Sequence, residues 1–115
     1  MNGIQNYING EFVSSKNDEC IDNFNPATNE KITTIPRSSL EDIQNAVDAC
    51  NLSKSSWSKL SITERAEWLD KIADELEKRF EEISRLESID TGKPISLSRN
   101  VDATRSVSNF RFYAE

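Results

Sequence analysis

Ser61-Ile62-Thr63-Glu64-Arg65-Ala66-Glu67-Trp68-Leu69-Asp70-Lys71-Ile72-Ala73-Asp74-Glu75-Leu76 opens on a capping box: the Ser61 hydroxyl can accept the backbone N–H of Glu64 while the Glu64 carboxylate reaches back to Ser61. From there Ala66, Leu69, Ile72, Ala73, Leu76, Phe80, Ile83 and Leu86 recur at steps suited to one helical face, so the stretch predicts a long amphipathic helix. Its polar side offers Glu67 with Lys71, Glu75 with Arg79 and Glu81 with Arg85, four-residue pairs that each stabilise an exposed helix by about 0.2 to 0.5 kcal/mol. The pattern runs to Asp90-Thr91-Gly92. There Gly92 can take the left-handed cap conformation, and Pro94 cannot continue a helix from behind.

Toward the amino terminus the period changes. Tyr7-Ile8 and Phe12-Val13 flank Asn9-Gly10-Glu11, and Asn-Gly favours a hairpin because both residues tolerate positive φ. Cys20 to Phe24 and Lys31 to Ile35 make a second strand pair around the turn residues Asn25-Pro26-Ala27-Thr28-Asn29, closed by Pro36. Next, Ser38 or Ser39 can cap a helix with Leu40, Ile43, Val47 and Cys50 inward. The serines from Ser53 to Ser58 are expected to interrupt it, with Trp57 as a core anchor. On the other side of Pro94, Val101 to Tyr113 is helix-compatible, with Val101, Val107, Phe110 and Ala114 inward. The sequence stops at Glu115 with no Gly, Pro or capping residue, which reads as a cut helix. The expected fold is α+β in a single unit over 1–115: a β-hairpin region at 1–37 and about three helices in 38–115.

Charge and composition exclude several function classes. Twenty acidic against 14 basic residues leave a net charge of -6, with Lys and Arg interleaved among the carboxylates, which disfavours nucleic acid. No apolar run approaches the roughly 20 residues of a membrane span, and Met1-Asn2-Gly3-Ile4-Gln5 lacks the charged start and apolar centre of a signal peptide. The cytoplasm is the expected compartment. There Cys20 and Cys50 are expected to be ordinary packed thiols, since no histidine exists to join them at a metal and a reducing environment argues against a disulfide.

Motifs for catalysis are few. Asp90-Thr91-Gly92 matches the aspartic-protease triplet, which a chain of this length would complete by homodimerisation so that two carboxylates share a proton. That chemistry needs a loop leaving a strand, whereas the triplet here ends the most helical segment. Gly92-Lys93 lacks the upstream glycine of a phosphate loop, and Pro94 stands where Ser or Thr is required. Three glycines, Gly3, Gly10 and Gly92, cannot build a glycine-rich dinucleotide turn. The residues alone show no active site.

The order of the segments adds a further reading. Tyr7-Ile8-Asn9-Gly10-Glu11-Phe12-Val13, Asn25-Pro26-Ala27-Thr28-Asn29-Glu30, Thr63-Glu64-Arg65 with Lys71-Ile72-Ala73-Asp74, and above all Leu86-Glu87-Ser88-Ile89-Asp90-Thr91-Gly92-Lys93-Pro94 resemble the amino-terminal part of the aldehyde dehydrogenase superfamily. The segment Arg105 to Ala114 looks most like the group acting on muconic semialdehydes. The resemblance covers nearly the whole chain. It implies the opening part of an α/β dehydrogenase several times longer, oxidising an aldehyde substrate to a carboxylic acid with NAD or NADP. In that chemistry a cysteine thiolate attacks the aldehyde, hydride passes to the nicotinamide, and a glutamate activates water.

Those groups fall in family motifs beyond Glu115, and Cys20 and Cys50 match none of them. The expected catalytic and cofactor-binding residues of this chain are therefore none, and the chain alone is expected to be inactive. The resemblance also implies a monovalent-cation site whose matching positions are Asn23, Phe24 and Asp102, with weak or no binding by these residues alone. For Asp102 the plainer expectation is a carboxylate in the first turn of the last helix, favoured by its dipole. A non-catalytic interaction domain that pairs with full-length subunits is the alternative, and a homo-oligomer is compatible with either.

Overall fold

The computed structural model describes residues 3–115. By its packing the chain divides into two compact units, residues 3–24 with Glu30–Lys59, and Asn25–Asn29 with Leu60–Glu115. The packing boundary thus departs from the division by secondary structure at residue 37: the first helix belongs with the hairpins, and the Asn25–Asn29 turn with the later helices.

In the first unit β1 (Asn6–Ile8) pairs antiparallel with β2 (Glu11–Val13), with Tyr7 opposite Phe12. Asn9 at φ 54° and Gly10 at φ 83° make the tight turn that Asn-Gly predicts. β3 (Cys20–Phe24) pairs antiparallel with β4 (Lys31–Pro36), Ile21 opposite Ile35, with an irregularity in register at Asn23 and Phe24. The Ile4 N–H bonds the Thr34 carbonyl at 2.8 Å and ties the segment before β1 to β4.

Helix α1 (Leu40–Lys59) starts at Ser39. The Ser39 hydroxyl accepts the Asp42 N–H at 3.3 Å, and the Asp42 carboxylate accepts the Ser39 N–H at 2.7 Å, which is a capping box closed by aspartate. The same carboxylate takes the Lys16 N–H at 3.1 Å, so one buried group fastens the loop after β2 to the helix start. The serine run does not interrupt α1. Ser56 and Ser58 donate back to the carbonyls of Ser53 and Ser55, at 2.8 and 3.1 Å, so their hydroxyls are satisfied inside a continuous helix. Trp57 is exposed and anchors no core, and Leu40, Ile43, Val47 and Cys50 are exposed as well.

In the second unit α2 (Ile62–Lys78) begins with the predicted box: the Ser61 N–H donates to Glu64 Oε2 at 2.8 Å, and the Glu64 N–H to Ser61 Oγ at 3.2 Å. The single long helix expected here is two. Arg79, at φ -104° and ψ 18°, separates α2 from α3 (Phe80–Thr91). The predicted four-residue ion pairs are replaced by Lys78 with Glu75, Arg79 with Glu82 and Arg99 with Glu81.

The last helical segment begins six residues earlier than expected. α4 (Ile95–Leu97) runs into a π-helical stretch, Ser98–Ala103, and then α5 (Thr104–Ala114). The Thr104 hydroxyl closes the widened turn on the Arg99 carbonyl at 2.8 Å. Val101 is exposed, whereas Val107 is buried and Phe110 and Ala114 are half-buried. α2 packs along α5, and α3 along the π-helical stretch. The buried residues of this unit are small: Ala73, Ser84, Ser98, Ala103 and Val107. Larger apolar side chains of the unit, among them Leu69, Leu76, Phe80 and Ile83, are half-buried around them. Two antiparallel hairpins and helices make an α+β chain, as the sequence predicts.

Candidate functional site

The run from Glu87 to Pro94 forms a well-connected turn. Gly92 adopts φ 72° and ψ 6° and donates its N–H to the Ser88 carbonyl at 2.9 Å, completing a left-handed helix end. The Ser88 hydroxyl crosses to the Lys93 carbonyl at 2.7 Å, and the Thr91 hydroxyl to Glu87 O at 2.6 Å. A Cβ placed on Gly92 would lie 3.0 Å from the Ala27 nitrogen and 3.2 Å from Pro26 Cβ. Two stretches that carry the family resemblance, one around Pro26 and one around Gly92, are thus in direct contact. The turn at Pro26 is itself preset, since the Asn25 side-chain oxygen accepts the Ala27 N–H at 2.9 Å.

Lys93 lies between two carboxylates, with Nζ 2.7 Å from Asp102 Oδ2 and 2.9 Å from Glu87 Oε1. The bonds to Asp102 and then to Glu87 push the Lys93 amine above its ordinary range, which favours the protonated form that holds the two carboxylates together. A second cluster joins α5 to α2: the Arg111 guanidinium reaches Asp70 at 3.1 Å, Asp74 at 2.7 Å and Glu77 at 2.9 Å. The bonds to Asp74 and then Asp70 raise the guanidinium further above its usual value. The sequence reading missed both clusters. Asp70, Asp74 and Glu77 share one flank of a helix, and three carboxylates so placed are the signal that a cation from another element should meet them.

The expected cation ligands are distributed as follows. Asn23 and Phe24 end β3 at its irregularity, the first half-buried and the second exposed. Asp102 lies within the π-helical stretch and not in a first helical turn, so the dipole reading of it is replaced by its pairing with Lys93. Oxygen donors suit a hard monovalent cation. The Asp102 carboxylate, however, is already neutralised by an ammonium, which disfavours this donor set. Among the described residues no group of three or more His, Cys, Asp or Glu could hold a metal ion.

Asp90 sits in the last turn of α3, not on a loop leaving a strand as a protease dyad requires. Cys20 and Cys50 are free and exposed, so neither is the packed thiol expected. With no histidine and three glycines in the chain, these residues fit neither a base-assisted nucleophile nor a dinucleotide phosphate turn.

The aldehyde dehydrogenase family model matches residues 12–115. A 2-aminomuconic semialdehyde dehydrogenase of Danio rerio is 42% identical over 111 residues, 96% of this chain and 22% of that protein. A 2-hydroxymuconic semialdehyde dehydrogenase of Pseudomonas sp. (strain CF600) is 36% identical over 116 residues, 100% of this chain and 24% of that one. Among solved structures, PnpE in complex with nicotinamide adenine dinucleotide superposes with a TM-score of 0.94 at 37% identity, covering 96% of this chain and 23% of PnpE. An aldehyde dehydrogenase from Bacillus cereus gives 0.93 at 36% identity, covering 97% and 23%. The chain spans about a quarter of the length of the relatives it matches. On the family match, these identities and the shared fold, the chain belongs to the aldehyde dehydrogenase family.

Proposed function

We propose that these 115 residues are the amino-terminal segment of an NAD(P)-dependent aldehyde dehydrogenase that oxidises an aldehyde to a carboxylic acid. They serve as one piece of scaffold and contribute no catalytic or cofactor-binding group. The observation that carries the reading is the match along 96% to 100% of this chain to proteins of which it spans 22% to 24%. Those two relatives, both named as muconic semialdehyde dehydrogenases, favour an unsaturated, carboxylate-bearing semialdehyde as substrate. We assign the chain to the cytoplasm, where its free thiols would persist as thiols.

The clamps on Lys93 and Arg111 hold helix ends and helix faces, which is a scaffold's task. For the monovalent cation at Asn23, Phe24 and Asp102 we expect weak or no binding by this chain, because Lys93 already holds the carboxylate.

Two assays test the reading. The purified chain should give no aldehyde-dependent reduction of NAD or NADP, and reproducible turnover would overturn the scaffold assignment. A chimera in which this chain replaces the matching stretch of the Danio rerio relative should fold and turn over aldehyde. A folded but inactive chimera counts against the dehydrogenase reading. A second reading, a non-catalytic domain that pairs with full-length subunits, is favoured by the large apolar side chains left exposed on α2.

A further inference from the structure

Asn9 and Gly10 alone join β1 to β2, both exposed and both at positive φ, 54° and 83°. Positive φ at both central positions makes the turn type I′. No side chain crowds the Gly10 nitrogen, and a Cβ built on Gly10 would meet nothing within 4 Å. The Asn9 side chain has no hydrogen-bond partner among the described residues. Other asparagines are held. The side-chain oxygens of Asn17 and Asn25 accept the N–H groups of Glu19 and Ala27, at 3.3 and 2.9 Å. Asn45, Asn51 and Asn109 lie inside α1 and α5, where the next residue's N–H belongs to the helical ladder. Asn29 is the nearest counterpart, exposed and at φ 57°, but Glu30 follows it and sets a side chain beside the nitrogen.

We propose that Asn9 is a self-modifying site, converting to aspartate and isoaspartate through a succinimide that forms within the folded hairpin. The Gly10 nitrogen, once deprotonated, bonds to Asn9 Cγ, and the side-chain nitrogen leaves as ammonia. Water then opens the ring. Addition at Cγ gives aspartate, while addition at the main-chain carbonyl gives isoaspartate, whose backbone runs through Cβ and Cγ. Water enters and ammonia leaves, so no oxidant or reductant is needed. The site stands apart from the function proposed above.

The turn suits the ring. Tetrahedral geometry at Cα sets ψ of a succinimide residue near about -120°, which is the ψ of the first central residue of a type II′ turn. That turn also requires positive φ at the same residue, where Asn9 already stands at 54°. Passing from type I′ to type II′ needs a flip of the Asn9–Gly10 peptide, and glycine accepts either sign of φ. The pairing of Tyr7 with Phe12 is compatible with both turns, so ring closure does not require the hairpin to open. The two products then differ. Aspartate tolerates positive φ and keeps the turn, with one added negative charge. Isoaspartate lengthens the main chain of the loop, so the register from Asn6↔Val13 to Ile8↔Glu11 no longer fits. Loss of the Tyr7–Phe12 ring contact, with centroids 5.0 Å apart, would accompany it.

The test uses the complete chain carrying Asn2→Gln, because Asn2 also precedes a glycine and lies outside the described residues. The sample is incubated at mildly alkaline pH, folded or in guanidinium chloride, with far-UV circular dichroism to verify each state. Fragmentation mass spectrometry locates the amide-to-acid mass gain, and chromatography against an Asn9→Asp standard separates aspartate from isoaspartate. The folded chain should convert at Asn9 at least as fast as the unfolded one, more quickly as pH rises, with isoaspartate among the products. Conversion at Asn29 should be slower by at least about tenfold, a barrier difference of about 1.4 kcal/mol. Slower conversion in the folded chain overturns ring closure within the hairpin, and a smaller ratio between the two sites overturns the choice of Asn9. Aspartate without isoaspartate refutes the succinimide route. If the chain alone does not hold its fold, the chimera with the Danio rerio relative carries the same hairpin, and the same comparisons decide.

Discussion

Replacing Gly92 by alanine isolates the contact that joins the turn at Pro26 to the end of α3. Two costs add. The left-handed conformation at φ 72° disfavours an L side chain by about 1–2 kcal/mol. The new Cβ would also meet the Ala27 nitrogen at 3.0 Å and Pro26 Cβ at 3.2 Å, a steric insertion that costs about 1–3 kcal/mol when neighbours must shift. The expected loss is then roughly 3 kcal/mol. Gly10 is the internal control, since it has φ 83° and nothing within 4 Å of its own hypothetical Cβ. Gly10→Ala should cost only the first term, about 1 kcal/mol.

Asparagine sharpens the comparison, because this chain already places Asn9, Asp18 and Asn29 at positive φ. Gly10→Asn should be close to neutral, while Gly92→Asn still loses about 1–3 kcal/mol from crowding. Urea unfolding followed by far-UV circular dichroism reads these differences. With a slope of about 1–3 kcal/mol per molar, the Gly92→Ala midpoint should fall by at least about 1 M. Equal losses at the two glycines would refute the close approach of Gly92 to the Pro26–Ala27 backbone.

The other expectations concern the charged clamps. Ser39→Ala removes the α1 cap and should cost about 1 kcal/mol in the same unfolding assay. The Ser39 N–H and hydroxyl, with help from the Lys16 N–H, hold the Asp42 carboxyl below its ordinary 3.8. Its contribution is therefore present above that value and lost as pH falls through the lower folded-state pKa. Asp42→Asn should flatten this acid limb of the stability profile, and an unchanged limb would contradict the clamp. Arg111→Ala should lower the melting temperature more than Lys78→Ala, whose ion pair is local to one helix. Arg111→Lys should recover only part of the loss, because one ammonium cannot fork to Asp70, Asp74 and Glu77 together.

What could be read from the sequence was local. Ser61 with Glu64, Asn9 with Gly10, and Gly92 before Pro94 are each decided within four residues, and the structure keeps all three. The break at Arg79 has no Gly or Pro to announce it. The ladder nearly continues through it, with the Arg79 N–H on Glu75 O at 3.2 Å and the Ile83 N–H on Arg79 O at 2.9 Å. The nearest signal is Ser84, which is fully buried and bonds back to the Phe80 carbonyl at 2.7 Å, a contact that tends to bend helices. The serines of α1 misled for the opposite reason. Their tendency to compete with the backbone is spent on carbonyls of the preceding turn, and the helix runs on.

The site was legible only in part because its parts are distant in sequence. A cap argument explains why residue 92 is glycine by its φ. It cannot show that Pro26 and Ala27, more than sixty residues earlier, crowd the same position. The same holds for Lys93, which answers Asp102 across a π-helical stretch that hydrophobic spacing does not reveal, and for Arg111, which answers three carboxylates more than thirty residues before it. These contacts link the segments through which the family resemblance was read. That resemblance thus traces a set of tertiary constraints, which explains how a chain can carry a dehydrogenase signature along its whole length and not in one motif alone.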